Sequence, residues 1–578
     1  MKKQESLQTS RRKFLGRVGV AGAATLAAGV VGVEPLLQPG SSSAQAASAG
    51  PENTGQRRTQ AKQLRDRATQ DEFSLSPQAH SDNGDETRYP NRIGNFSKTL
   101  KHDPLTGEVE PSAYNALIGA ISSGNDADFD ALAINGHFGC ADQSRQRRLV
   151  NPMAGYAFDL QGADSQVPAI RPAPAFASAE AAGEMAELYW MALLRDVNFE
   201  DYATNSLALA AAADLSNLSD FRGPKQSGHV TPETLFRDRF PGCTTGPYIS
   251  QFLLQPANFG AQRVDQRINT NAPGVDFMTN FSDWLDVQNG GNETATLTPG
   301  PLVSCRNGRD LAAYVHIDVL FQAYFVGLLL LLGGGYPVDA GNPYGVILDS
   351  GAGRPRNALL DPNGSPSQVG FGTFGGPGIA TLVTEPATRA LKHVWFQKWL
   401  VHRRLRPEEF GGRVEVHRLG RASYPIHNDL RTVSTVLSRV FSRFGNNLLP
   451  MAFPEGSPNH PAYGAGHATV AGACVTILKA YFDESAPIQN PVFPDPTGTT
   501  LLPYVGPPLT VGGELNKLAS NIATGRNIAG VHWRTDGNES VKLGEECAIS
   551  ILRDQKGCYH ETFTGFSLTK FDGTVVTV

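Results

Sequence analysis

The spacing of apolar and polar positions divides this 578-residue chain into stretches of different character. Residues 47 to about 100 are polar, rich in Gln, Arg, Asp and Asn with few apolar clusters. They predict an extended arm that wraps a neighbour or the chain's own surface. From about residue 110 onward, apolar residues recur at helical spacing between Pro/Gly loops. "AAGEMAELYWMALLRDV" (181–197) predicts an amphipathic helix. "DLAAYVHIDVLFQAYFVGLLLLLGGG" (310–335) is the most apolar segment, interrupted by Asp318 and Gln322. Its unbroken apolar run, 323–332, is about half the length a bilayer span needs, so it predicts a core helix ended by glycines. Sustained two-residue alternation is lacking, and no fixed-period repeat is visible. The pattern predicts a mainly α protein with long loops.

Three helix-and-turn blocks in the C-terminal half carry the candidate chemistry. In "ATRALKHVWFQKWLVHRRLRPEEFGG" (387–412), Lys398 and Arg406 are eight apart, about 80° of rotation on one helix. Arg406 precedes Pro407, which disfavours the helical region for the residue before it, so the helix ends nearby and Arg406 can swing back. The plainer reading is a basic solvated face that includes His402, Arg403 and Arg404. In "HPAYGAGHATVAGACVTILKAYF" (460–482), a glycine turn runs into an apolar helix. A helix start leaves free N–H groups and a positive dipole end, an anion cradle, with His467 at its lip. In "LASNIATGRNIAGVHWRTDGNESVKLGEECAISILR" (518–553), His532 and Asp536 sit at i, i+4, so a carboxylate can fix the imidazole tautomer. An ordinary helix-start salt bridge with Arg534 is the alternative. Together the blocks supply three cations, an amide cradle and two histidines, the donor set a tetrahedral oxyanion with an axial ligand requires.

Composition changes this picture only at the ends. Hydrophobic residues are 40% and charged residues 18%, a globular balance. "SRRKFLGRVGVAGAATLAAGVVG" pairs Arg11 and Arg12 with a mildly apolar run, and "AQA" (44–46) offers a cleavage site: a twin-arginine export signal. Removing residues 1–46 takes away six basic and two acidic side chains and moves the net charge from −5 to −9. An acidic chain has no broad attraction for nucleic acid or anionic lipid. A periplasmic or extracellular location follows as an expectation. Six cysteines lack any Cys-x-x-Cys spacing; an oxidising compartment permits up to three bridges, although Cys474 on its apolar helix reads as a buried free thiol.

The order Lys-x7-Arg-Pro, Gly-His and Arg-x5-His-x3-Asp resembles the vanadium-dependent haloperoxidases, in particular the algal and cyanobacterial bromoperoxidases. These share an active-site plan with the type-2 phosphatidic acid phosphatases. "EMAELYWMALLRDV", "YVHIDVLFQAYF", "GFGTFGGPGIATLVTEPATRALKHVWFQKWLVHRRLRPEEFGGR" and "GVHWRTDG" carry the likeness from roughly residue 60 to the C-terminus. The Lys–Arg spacing matches the bromoperoxidase branch rather than the phosphatases.

The resemblance implies a helical-bundle fold over 101–578, catalytic motifs within 387–553, and one vanadate per subunit. His532 would be the axial ligand to vanadium, supported by Asp536. Lys398, Arg406, Arg526 and the Gly466 amide would hold the equatorial oxygens. His467 would serve as acid–base for hydrogen peroxide while Lys398 polarises it. His460, where the fungal chloroperoxidases carry an aromatic residue, favours bromide and iodide. Hypohalous acid then leaves to halogenate diffusible organic acceptors. Homo-oligomers from dimer to dodecamer are implied, as is a structural calcium near "DPNGSPSQ" (361–368), where Asp361 is the one carboxylate and the residues also read as a surface turn.

The family's usual Pro-Ser-Gly-His is Gly464-Ala465-Gly466-His467 here. Ala465 lacks the hydroxyl that donates to an equatorial oxygen, while Gly464 has an N–H that proline lacks and can turn it inward. Two other readings stay open: a phosphatase with His532 as nucleophile, and a non-catalytic oxyanion-binding protein.

Overall fold

Two glycines explain how the centre of the fold is built. A Cβ on Gly472 would lie 1.9 Å from the carbonyl oxygen of Val541, and one on Gly544 would lie 1.9 Å from that of Thr469. The Gly466–Tyr481 and Arg534–Cys558 helices therefore meet backbone to backbone. Val511–Ile528 and Pro386–Phe396 pack around this pair, and most residues of these helices are buried. This computed structural model describes residues 53–134, 147–291, 297–345, 365 and 367–578. The expected export signal, Cys140 and, within the calcium loop, residues 361–364 and 366 with Asp361 lie outside the described residues.

The chain divides into two units, Met1–Arg67 and Ala68–Val578. Described strands are short and form two-stranded antiparallel pairs: Ala257–Phe259 with Gln262–Val264, Ile268–Asn271 with Pro299–Val303, Val492–Pro494 with Leu501–Pro503, and Ser567–Thr569 with Val575–Thr577. A mainly α fold, as the apolar spacing predicts, is what results. Among the described residues no helix is long and apolar enough to cross a membrane. Cys243, Cys305, Cys474 and Cys547 are buried free thiols.

Three expectations are corrected. First, the 181–197 stretch is not amphipathic in its setting: almost every residue of the Ala179–Leu194 helix is buried, including Glu180, Glu184 and Glu187. Its apparent polar face meets partners instead of water, with Glu184 on Arg404 and Glu187 on Arg534. Second, 310–335 is two helices, Gly308–Tyr314 and Gln322–Gly334, and only the latter ends on a left-handed glycine, Gly335. Between them lie Val315, whose carbonyl accepts from Arg526, and Asp318, which pairs with His467.

Third, the polar arm is neither extended nor confined to the surface. Thr54–Ser74 is a helix with no buried residue, and residues further along enter the core: Ile93, Phe96, Ser97, Lys98, Thr99 and Leu100 are all at most 2% exposed. Lys98 Nζ pairs with Glu408 at 2.5 Å and donates to the carbonyls of Glu455 at 3.0 Å and Ser457 at 2.6 Å. Ser97 donates through N and Oγ to Glu409, whose other oxygen accepts from Arg406 N. The arm thus closes the start of the helix behind Arg406. Removing one partner of a buried pair strands the other charge, so Lys98→Met is expected to cost about 3–5 kcal/mol in a urea unfolding titration. Adding Glu408→Gln is expected to recover part of that loss.

Candidate active site

The Pro386–Phe396 helix continues as a π-helical turn, Gln397–His402, and stops at Arg403, which is left-handed (φ 44°). Lys398 lies in that turn. Arg406 is extended (φ −79°, ψ 155°), as the residue before proline should be, and opens the Pro407–Arg418 helix. The chain leaves the helix between Lys398 and Arg406, so the 80° offset expected for one helix never applies. Lys398 Nζ donates to Pro461 O at 2.8 Å, to Ala462 O at 3.0 Å and to Gly464 O. Arg406 donates from Nε to His460 O (2.8 Å), from Nη2 to His460 Nδ1 (2.8 Å), and from Nη1 to Val531 O (2.7 Å) and His532 Nε2 (3.1 Å). One arginine joins all three blocks.

His532 precedes the Arg534–Cys558 helix, and Asp536 lies in its first turn. Asp536 Oδ2 accepts from His532 Nδ1 at 2.9 Å and from Trp533 N at 3.1 Å, while Oδ1 pairs with Arg404 at 3.0 Å. With Nδ1 carrying the proton, the lone pair of His532 sits on Nε2, toward Arg406. Arg534 does not bridge Asp536; it pairs with Glu187 and with Asp238. His402 and Arg404 are buried, so the solvated-face reading of that block does not hold for them.

Gly466 and His467 open the Gly466–Tyr481 helix ahead of its first backbone bond, Thr469 N to Ala465 O, and their amides have no acceptor within the helix. His467 is at the lip, its side chain 18% exposed, with Nε2 3.0 Å from Asp318 Oδ1. Arg526, at the end of Val511–Ile528, donates from Nη1 to Val315 O at 2.7 Å, and its Nε is buried without a partner. His460 is buried between Arg406 and the Trp395 ring, 4.8 Å centroid to centroid.

The electrostatics of this cluster are lopsided. Lys398, Arg406 and Arg526 are buried, and among the described residues none of them forms an ion pair with a carboxylate. Burial drives Lys398 well below the ordinary lysine range, Arg406 down to about 9 and Arg526 down to about 10. Burial, then Arg406 and Lys398, holds His532 neutral. Desolvation raises Asp536 to about 6 despite Arg404. Buried charges normally have partners. A multiply charged oxyanion fits here: three cations and a helix-start amide supply its donors, and the unprotonated Nε2 of His532, now accepting from Arg406, carries a lone pair that can ligate a central atom.

Four participants escaped the sequence reading. Asp318 holds His467; its one signal was a carboxylate inside an apolar run. Trp395 lines His460, with Lys398 Nζ 5.7 Å from its ring centroid, and would meet a Cβ on Gly466 at 3.2 Å. Glu409 caps Arg406, and Arg404 balances Asp536. At the departed motif, Ala465 N is taken by Ser540 Oγ (2.8 Å) and Asp536 O (3.3 Å), whereas the Gly464 N–H has no acceptor among the described residues.

Residues 435–560 match the VCPO second helical-bundle domain. The vanadium-dependent bromoperoxidase of Corallina pilulifera is 36% identical over 564 residues, covering 85% of this chain and 91% of that protein. That of Ascophyllum nodosum is 36% identical over 499 residues, covering 83% and 86%. The homohexameric structure of the second vanadate-dependent bromoperoxidase from Ascophyllum nodosum superposes with a TM-score of 0.83 at 30% identity, covering 93% of each chain. Fold, site and relatives agree: this chain belongs to the vanadium-dependent bromoperoxidases.

Proposed function

We propose that this enzyme oxidises halide with hydrogen peroxide, in the balance H2O2 + X⁻ + H⁺ giving HOX + H2O, with bromide and iodide preferred. The observation that carries the reading is a set of three buried cations without carboxylate partners that act on His532, whose unprotonated Nε2 accepts from Arg406. Vanadate, when bound, supplies a Lewis-acidic centre that activates peroxide toward halide.

The chain's own residues do the rest. His532 would ligate vanadate through Nε2, with Asp536 keeping the proton on Nδ1. Arg406, Arg526, Lys398 and the Gly466 amide hold the oxygens by charge-assisted hydrogen bonds. His467, with Nε2 committed to Asp318, presents Nδ1 to take a proton from peroxide; burial and Arg526 hold it below the ordinary imidazole range, so it is an unprotonated base at neutral pH. Lys398 would place its positive charge beside the peroxide and polarise it. His460, set against Arg406 and Trp395, is the residue to which this reading assigns the preference for bromide and iodide. The Arg11–Arg12 segment supports export to the periplasm or beyond, and the homohexameric relative supports assembly into a homo-oligomer.

The test gives the protein orthovanadate, hydrogen peroxide, bromide and a phenolsulfonphthalein dye. Dye bromination that inorganic phosphate suppresses is expected; cleavage of p-nitrophenyl phosphate without bromination would overturn the reading. Restoring the hydroxyl with Ala465→Ser is expected to tighten orthovanadate binding about tenfold, one added charge-assisted hydrogen bond, as measured by equilibrium dialysis.

A further inference from the structure

Arg526 raises a question the reaction itself does not answer. Two carboxylates, Asp318 and Glu455, are close enough to act on its charge, yet neither forms an ion pair with it. Each is held by a histidine. Asp318 Oδ1 lies 3.0 Å from His467 Nε2, and Glu455 Oε1 lies 2.7 Å from His316 Nε2.

The second pair belongs to the same corner as Arg526. His316 stacks on Phe453 with ring centroids 3.8 Å apart and planes 9° from parallel, and Arg526 Cζ is 5.9 Å from the centroid of that ring. Val315, the residue before His316, accepts from Arg526. The main chain of Glu455 is pinned, its carbonyl accepting from Lys98 Nζ (3.0 Å) and Arg147 Nη1 (2.6 Å). With its backbone fixed, the Glu455 carboxylate is held by His316 and lies within electrostatic reach of Arg526 and Arg147. An arginine–carboxylate pair in a buried site is strong, and an incoming oxyanion would have to displace it.

We infer that His316 is a positioning residue that holds the Glu455 carboxylate off Arg526, leaving the guanidinium open to the oxyanion. This rests on the site being the vanadate site proposed above. It makes His316 and Glu455 determinants of cofactor affinity although neither is placed to touch the cofactor.

The test is orthovanadate binding by isothermal titration calorimetry on the full-length protein freed of anions by dialysis. His316→Ala, which releases the carboxylate, is expected to bind about tenfold more weakly than the wild type. His316→Gln, whose amide can still donate to Glu455, is expected to stay close to wild type. Adding Glu455→Gln to His316→Ala removes the competitor and is expected to restore affinity to within about threefold, a rescue a purely structural role would not give. Glu455→Gln alone is expected to bind at least as tightly as wild type, which keeps the test open even if His316→Ala does not fold. Unchanged affinity in His316→Ala, no rescue in the double variant, or weaker binding by Glu455→Gln would overturn the inference. A wild-type protein that binds no orthovanadate would instead sink the vanadate reading itself.

Discussion

His532→Ala is expected to lose orthovanadate binding by at least about a thousandfold, and bromide oxidation with it, while the protein stays folded. The His532 imidazole is the group placed to ligate the central atom, whereas Lys398, Arg406, Arg526 and the Gly466 amide can only donate to its oxygens. Its Nε2 receives a hydrogen bond from Arg406 at 3.1 Å, its Nδ1 proton is fixed by Asp536 at 2.9 Å, and burial beside three cations keeps it neutral. Charge attraction alone would leave residual, phosphate-like binding to Lys398, Arg406 and Arg526. Equilibrium dialysis with orthovanadate and with phosphate separates the two cases: the variant is expected to hold both anions equally weakly, whereas the wild type strongly prefers vanadate.

The second large effect falls on turnover rather than on binding. His467→Ala removes the proton acceptor at the lip and is expected to lower kcat by about 10²–10⁴. Its orthovanadate affinity is expected to fall only about tenfold, because Asp318, freed from the imidazole, is left near Arg526. Steady-state kinetics with saturating bromide, set beside a binding titration, give the split. Equal losses in both measurements would assign His467 to the cofactor cradle instead of to proton transfer.

Local chemistry was legible in the chain where it was local. Arg406-Pro407, the glycine corner before His467 and the His532–Asp536 spacing each encode a short-range geometry, and each takes the conformation its residues dictate. Convergence was not legible, because it depends on departures from regular helix. The π turn at Gln397–His402 and the break between Tyr314 and Gln322 bring Lys398, Asp318 and Val315 into place, and apolar spacing reads through both as helix.

Polarity misled for a related reason. Lys98 in the arm and Glu184 and Glu187 in the 179–194 helix look solvated, but each finds its counter-charge far along the chain, in Glu408, Arg404 and Arg534. A single sequence shows the charges and not the pairings. Asp318 shows this most clearly. In the chain it reads as a flaw in an apolar run, and in the fold it pairs with His467.

The central claim is that His532, the three cations and the glycine corner form one vanadate site, and a crystal structure of the orthovanadate-loaded protein tests it most directly. The account predicts a vanadium atom bonded to His532 Nε2, with Arg406 displaced from that nitrogen onto an oxygen and Lys398 and Arg526 on the others. Vanadium bound elsewhere, or anion density in the pocket with His532 Nε2 still hydrogen-bonded to Arg406, would contradict it.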